Sequence, residues 1–313
     1  MATITTSAAQ QRSIEANLLT RKQRSLWQDA WWRLRRNRAA MLGIGIIAVT
    51  AILAIFAPMI APFDPTTQDT KANNMDPFWV SSVYHNSKYL LGSDELGRDI
   101  LSRLIWSTRI SLIVGLVPTA IVFSIGVSLG LVAGYIGGWI DNLLMRITDL
   151  VLTLPALAIL LTAAALLGQG SQWRVSVILT LFFWTGIARV VRGVFLSLRE
   201  KEYVEAAKAA GAGDARIMFR HILPNTLGPI IVNGTLAVAA AILTEAALSF
   251  LGFGITPPTP SLGNLVQSGQ TNPQQWWLTI FPGLTIVLIV LCINFIGDGA
   301  RDALDPTQRR VRA

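Results

Sequence analysis

The stretch EAAKAAGAGDARIMFRHILPN, Glu205 to Asn225, is a polar, two-part segment between blocks of near-continuous apolar sequence. Just before and through its first half, Lys201 to Ala210 is rich in Ala, Glu and Lys, residues that favour helix. Gly211-Ala212-Gly213 stops that helix by offering a glycine for the left-handed region. Asp214 then reads as the N-cap of a second helix, DARIMFRHIL, which Pro224 bounds. Two helices joined by a glycine turn make a compact knob. Because apolar runs flank it on both sides, the knob projects from something that is not water-facing.

Working outward, only 14% of the 313 residues are charged and the mean hydropathy is +0.50. Such a chain cannot expose most of its surface to water, so it reads as an integral membrane protein. Backbone groups in lipid must be satisfied internally, by helices or closed barrels. Long apolar runs, instead of alternating segments of about ten residues, select helices. The fold class expected is therefore all-α. The single cysteine, Cys292, lies in an apolar run and allows no intrachain disulfide. Net charge is +8, but the basic residues cluster beside the spans, which argues for membrane topology and against nucleic acid.

Residues 1–24 are polar and expected to form a disordered cytoplasmic tail, with no apolar core of a cleaved signal peptide. In residues 25–38, Trp27, Trp31 and Leu34 recur at helical spacing while Arg33, Arg35, Arg36 and Arg38 crowd the end. That pattern predicts an amphipathic helix in the cytoplasmic interface. The first span is expected within residues 39–63 and a polar extracytoplasmic segment over 64–107. A core of five further spans, 108–300, follows: Ile110 to Ile140, Leu150 to Leu167, Val175 to Phe195, Thr226 to Thr244 and Leu278 to Gly297. Ala246 to Trp277 reads as a re-entrant or membrane-surface segment broken by Pro257, Pro258 and Pro260. Residues 301–313 form a tail. Six spans place both termini on one side, and the arginine-rich arm, knob and tail make that side cytoplasmic.

Glu205-Ala206-Ala207, Gly211 four residues later and Leu223-Pro224 at the close resemble the EAA loop of permease subunits of bacterial ABC importers. One departure is His221, where the family usually has isoleucine. Four further segments resemble the C-type permease of the dipeptide, oligopeptide and nickel importers: LLGSDELGRDILSRL (90–104), GYIGGWIDNLLMRITDLVLTLP (134–155), LSFLGFGITPPTPSLGNL (248–265) and NFIGDGARDALDP (294–306). The resemblance implies the type I importer permease architecture and a coupling role for Glu205, Ala206, Ala207, Gly211, Asp214, Leu223 and Pro224. It implies as partners a second homologous permease, two ATP-binding subunits and an extracytoplasmic substrate-binding protein, all at the plasma membrane. Peptides are the implied cargo, with nickel, glutathione or oligosaccharide as alternatives.

Outside the knob, Ser93 is expected to cap a helix carrying Asp94 and Glu95 in its first turn. Arg98, Asp99 and Arg103 are expected on the extracytoplasmic surface, as candidates for docking the binding protein. Arg146 is expected to pair with Asp149 at i, i+3. Arg189 and Arg192 are expected to snorkel to an interface. Asn233 and Asn294 are the notable polar side chains at depth, either lining the path or gluing helices. None of the five lysines follows a glycine, so no phosphate-binding loop exists. ATP and Mg are left to partner subunits, and no cofactor is expected on this chain. Two histidines and one cysteine supply neither a metal site nor an enzyme's chemistry. A secondary transporter or channel is the rival class, weakened by spans that read as free of charge at mid-depth.

Overall fold

The uncharged runs fold as helices, because a backbone in lipid has to bond to itself. The computed structural model describes residues 26–80, 87–168 and 170–304. The tail at 1–24, His85 and residues 305–313 fall outside the described residues. Helix α1 is Leu26–Arg36 and α2 is Arg38–Ile55. Asn37 separates them, its side chain accepting from the Ala40 N–H at 3.1 Å. Next come α3 (Ile100–Ile136), α4 (Gly138–Thr153), α5 (Ala156–Leu167), α6 (Gln172–Arg199) and α7 (Glu202–Ala209). The chain then forms one continuous rod from Asp214, through a π-helical turn at Ile217–Ile222, into α8 (Leu223–Phe250). Helices α9 (Leu262–Thr271) and α10 (Trp276–Leu304) complete the fold.

Five helices are long and apolar enough to cross a membrane, and a bent pair, α4 with α5, makes up to six. Three expected spans need correction. The second runs from Ile100 to Ile136, not from Ile110 to Ile140. At 37 residues it is ~55 Å long, well beyond a hydrocarbon core of ~30 Å, so its first turns project. The third is not one rod: α4 and α5 meet at an angle of 87°. Leu154 is extended (ψ 140) before Pro155, as a pre-proline residue is pushed to be. The last span begins at Trp276 and stays helical to Leu304, seven residues past Gly297.

The closest packing is between α3 and α6, and glycine explains it. Gly126, Gly130 and Gly134 lie four residues apart on one face of α3. A Cβ at these positions would meet the carbonyl oxygens of Trp184, Ala188 and Arg192 at 2.8, 2.5 and 2.8 Å. Small residues let backbones approach where lipid offers no hydrophobic drive to association. On the other side, Gly43 of α2 abuts the Cys292 carbonyl and Gly299 of α10 abuts Ala40 and Leu34. The start of the described chain and the end of α10 therefore share one end of the bundle. Leu42, Val49, Ile52 and Ile55 of α2 remain exposed, as a lipid-facing outer helix requires.

The segment between α8 and α10, expected to be re-entrant or at the membrane surface, carries a further helix packed into the bundle. Ser261 and Asn264 form a reciprocal capping box that starts α9, and α9 buries Leu262 and Leu265.

Candidate functional site

The knob forms, with a geometry that differs from the sequence expectation in two places. Its first helix, α7, carries Glu202 and Glu205 in the first turn and Lys208 in the last, the charge order the helix dipole favours. Val204 is fully buried and shares a core cluster with Phe195 of α6, Ile217 and Ile222. Glu205 and Ala206, one and two residues on, are exposed, and Ala207 is half-buried. One face of α7 is thus fixed to the spans, and the other leaves a carboxylate and small side chains on the surface.

Gly211 closes α7 with φ +81. Its N–H bonds the Lys208 carbonyl at 2.9 Å, and the Ala212 N–H reaches back to Ala207 at 3.0 Å. This pair is a Schellman C-cap, which needs a left-handed residue at that point. Asp214 does not cap the second helix as expected. Gly213 is the flanking residue, without a side-chain cap bond, and Asp214 instead accepts the Tyr135 hydroxyl at 2.6 Å. That bond pins the knob to the end of α3.

Pro224 does not bound the second helix either. The helix widens to a π turn over Ile217–Ile222, and the Leu223 N–H bonds Met218, five residues back. A proline deprives its helix of one N–H and crowds the carbonyl four residues before it. The wider turn absorbs both effects, so the rod runs unbroken from Asp214 to Phe250. Leu223 is half-buried and Pro224 exposed.

Above the knob, two ion pairs join α4 to α6. Arg192 donates to both oxygens of Asp141, the Nη2–Oδ2 distance being 2.7 Å. Arg189 donates through Nη2 to Asp149. These pairings replace the expected Arg146–Asp149 contact and the expected snorkelling of both arginines. Arg199 completes the set, donating to the Tyr135 carbonyl at 3.3 Å and so satisfying the end of α3. The sequence reading missed these partners, because they are 40 and 51 residues apart and no local spacing announces them.

At the opposite end the docking candidates are inside the protein. Arg98, Asp99 and Arg103 are 5%, 3% and 1% exposed. Arg98 pairs with Asp94 at 2.7 Å, and Arg103 lies 3.7 Å from the same carboxylate. Asp99 is the N-cap of α3, accepting from the Ser102 N–H at 2.7 Å and its hydroxyl at 2.6 Å. Burial pushes the Asp99 carboxyl above its usual range, while the Ser102 bonds pull the other way. Ser93 caps no helix; its hydroxyl bonds the Ala72 carbonyl and accepts from Met75 at 2.8 Å. These charges hold the segment before α3 together and are not offered to a docking protein.

Of the polar residues at depth, Asn233 donates to the Pro229 carbonyl of its own helix at 2.8 Å. Asn294 lines an apolar groove of about 340 Å³ between α8 and α10, beside Phe295 and Asp298. A third, Glu245, was passed over in the sequence, where it reads as the polar end of a span. It is fully buried, accepting from Ser249 at 2.7 Å and Ser111 at 3.2 Å, and so ties α8 to α3.

Residues 126–310 match the family model for the binding-protein-dependent transport system inner membrane component. Residues 25–77 match that for the N-terminal transmembrane domain of oligopeptide transport permease C. The chain is 40% identical over 280 residues to a dipeptide transport system permease protein of Haemophilus influenzae, covering 89% of this chain and 94% of that one. It is likewise 40% identical over 303 residues to a dipeptide transport system permease protein of Bacillus subtilis, covering 96% and 92%. An oligopeptide transport system permease protein of the same species is 36% identical over 297 residues, covering 95% and 94%. A polar helical knob locked onto an apolar multi-span bundle, and matches running through both, lead to one assignment: the chain is a member of the binding-protein-dependent transport system inner membrane component family, a multi-pass membrane permease.

Proposed function

We propose that this chain is the C-type permease subunit of an ATP-driven peptide importer and that its knob receives the motion of a separate ATPase. The observation that carries the reading is the two-sided character of α7. Val204 is fully buried in the same cluster as Ile217 and Ile222, while Glu205 and Ala206 stand exposed. A push on the exposed face moves α3, α6 and α8 as one body, since Tyr135 and the π turn tie the knob to both neighbours. Rigid-body rotation of packed elements is an established way to carry such a signal.

The complex comprises this permease, a second homologous permease, two ATP-binding subunits and an extracytoplasmic binding protein. ATP and Mg belong to the ATP-binding subunits, and this chain catalyses nothing itself. Closure of the ATPase pair brings the two knobs together and opens the path outward; hydrolysis resets it. Arginines support a plasma-membrane topology with both termini cytoplasmic. Arg33, Arg35 and Arg36 of α1, the knob's Arg216 and Arg220, and Arg301 of α10 gather at the bundle end shared by α1 and α10. The permeases of dipeptides and oligopeptides among the relatives support peptide as cargo.

The test is a pull-down of tagged chain from detergent-solubilised membranes. Recovery of a second permease and ATPase subunits, lost on changing Glu205 and Gly211, supports the reading. A chain that purifies alone and moves solute without ATP in liposomes refutes it.

A further inference from the structure

The arginines that close α1 lie beside the start of a membrane span whatever the tilt of either helix. From Ala39 through Phe63 the chain carries no charged residue, so the bilayer begins at about the first turn of α2. Arg36 stands three residues before Ala39, at most ~11 Å of chain. The chain also doubles back at Asn37, whose backbone is extended between the two helices (ψ 103). A Cβ on Gly299 of α10 would lie 3.1 Å from Leu34 Cδ1 and 2.4 Å from Ala40 Cβ. Leu34 thus sits against the start of α2, and α1 does not run straight out into water.

One face of α1 is committed to that packing and the opposite face is not. Ala30 is buried and Leu34, one turn on, is half-buried. Trp31 and Trp32 are 49% and 45% exposed, and Arg35 and Arg36 are exposed with them. On a helix of about 3.6 residues per turn these four cover roughly 140° of the circumference, opposite the Ala30–Leu34 edge. Each tryptophan stands one turn before an arginine. The Arg35 guanidinium is 5.0 Å from the Trp31 ring centre, and that of Arg36 is 3.8 Å from the Trp32 ring centre. A guanidinium laid over a ring is held by the ring's electrons and uses none of its five N–H donors there. The two stacks therefore fix two cationic forks on the surface with donors left for an acceptor. Over residues 26–38 four arginines stand against one acid, Asp29, a net charge of +3.

We propose that the Trp31–Arg35 and Trp32–Arg36 face of α1 is a binding site for anionic phospholipid headgroups. The tryptophans set amphipathic rings at headgroup level, and the guanidiniums take lipid phosphate through paired N–H donors. The net positive charge selects an anionic headgroup, since a zwitterionic one brings its own cation to a surface that is already cationic. Because Leu34 and Ala40 both pack at Gly299, lipid held on α1 braces the end of α10 together with the start of α2. Such a site needs only that the chain spans a membrane and is independent of the peptide-import reading.

The test titrates the full-length chain, purified in detergent, with phosphatidylglycerol or with phosphatidylcholine, and counts bound lipid by native mass spectrometry. The wild type is expected to hold phosphatidylglycerol the more tightly. Arg35→Gln/Arg36→Gln is expected to lower that preference roughly twentyfold, at about fivefold for each arginine. Equal affinity of the wild type for the two lipids, or an unchanged preference in the variant, overturns the proposal. A second measurement needs no variant and so does not depend on how a variant folds. Phosphatidylglycerol carrying a diazirine in its headgroup is photolysed in nanodiscs, first with the wild-type chain alone and then with its complete complex. Adducts within residues 28–38 in both samples support the site. Adducts confined to other segments overturn it, and adducts that vanish when the complex is assembled give the same face to a protein partner and overturn it as well.

Discussion

Gly211 offers the sharpest test of the coupling role proposed for the knob, because its substitution acts on the backbone alone. Apart from its chain neighbours, no atom lies within 4 Å of the position a Cβ would occupy, yet φ is +81. An L-residue held in the left-handed region costs about 1–2 kcal/mol, and a β-branched one is a stronger outlier, about 2–3 kcal/mol. The closed turn is then disfavoured by a factor of roughly 5–30 for Gly211→Ala and roughly 30–150 for Gly211→Val. Asn tolerates this region better, so Gly211→Asn belongs between glycine and alanine. Helix α7 has eight residues, too few to persist without its cap and its Val204 anchor. The penalty is confined to the knob, and insertion of the spans is expected to survive. The assay is ATPase activity of the purified complex, stimulated by loaded binding protein, in lipid nanodiscs. Stimulation is expected to fall in the order Gly, Asn, Ala, Val, with wild-type yields of membrane-inserted chain throughout. Full stimulation in the Gly211→Val complex would refute the reasoning, since the knob would then work with its turn distorted.

Three other outcomes follow from the same geometry. Asp141→Ala leaves Arg192 without its carboxylate in a mostly buried site, costing about 1–3 kcal/mol after discounting for partial exposure; a lower thermal midpoint of the detergent-solubilised chain, partly recovered in Asp141→Ala/Arg192→Met, checks it, and an unchanged midpoint refutes it. Gly130→Ala drives a methyl to 2.5 Å from the Ala188 carbonyl and is expected to cost about 1–3 kcal/mol of overpacking, read as reduced recovery of monodisperse protein. For Asp99 the raised carboxyl means the folded state holds its proton more tightly than the unfolded one. Its favourable contribution is complete below about pH 4 and is lost as pH rises through the folded value. Asp99→Asn keeps an acceptor for Ser102 and removes that titration. The wild type should therefore lose thermal stability relative to the variant as pH rises above about 4, and parallel curves would count against a buried, raised Asp99.

What could be read ahead of the structure was whatever depends on local pattern. Uncharged runs marked the spans, and Trp31, Leu34 and the following arginines marked α1, where Trp31 and Trp32 indeed stay exposed with the Arg36 guanidinium 3.8 Å over Trp32. The glycine of the knob turn was legible because the left-handed conformation that stops a helix suits glycine better than any residue with a Cβ. Two local signals were present and misread. Pro155 should have divided the third span at Leu154, and Gly126, Gly130 and Gly134 state a helix contact in their spacing alone. The rest was not local. Arg98, Asp99 and Arg103 look like a solvated helix start until the fold brings Asp94 to both arginines and the Pro65 carbonyl to Arg103. Nothing near Arg189 in the sequence says that its partner lies on α4.

That non-local layer is largely polar where the knob, α3, α4 and α6 meet. Apolar side chains decide that the helices insert, but lipid distinguishes poorly between one apolar face and another. At the knob end of the bundle, polar contacts add to the glycine and apolar packing: Tyr135 to Asp214, Arg199 to the α3 end, and two arginine–aspartate pairs between α4 and α6. They make a stepwise polar seam from the knob toward the α4–α5 bend, with Arg199 and Arg192 seven residues apart on α6. A displacement delivered to α7 reaches that bend through Tyr135, α3 and α6 without passing through any flexible loop. If the seam transmits the stroke, severing it by Tyr135→Phe should weaken the link between ATP hydrolysis and peptide uptake while leaving the knob's turn intact. The quantity to measure is peptide taken up per ATP hydrolysed. A fall in that ratio at unchanged hydrolysis places Tyr135 in the coupling route, and an unchanged ratio shows that packing of Val204, Ile217 and Ile222 carries the motion by itself.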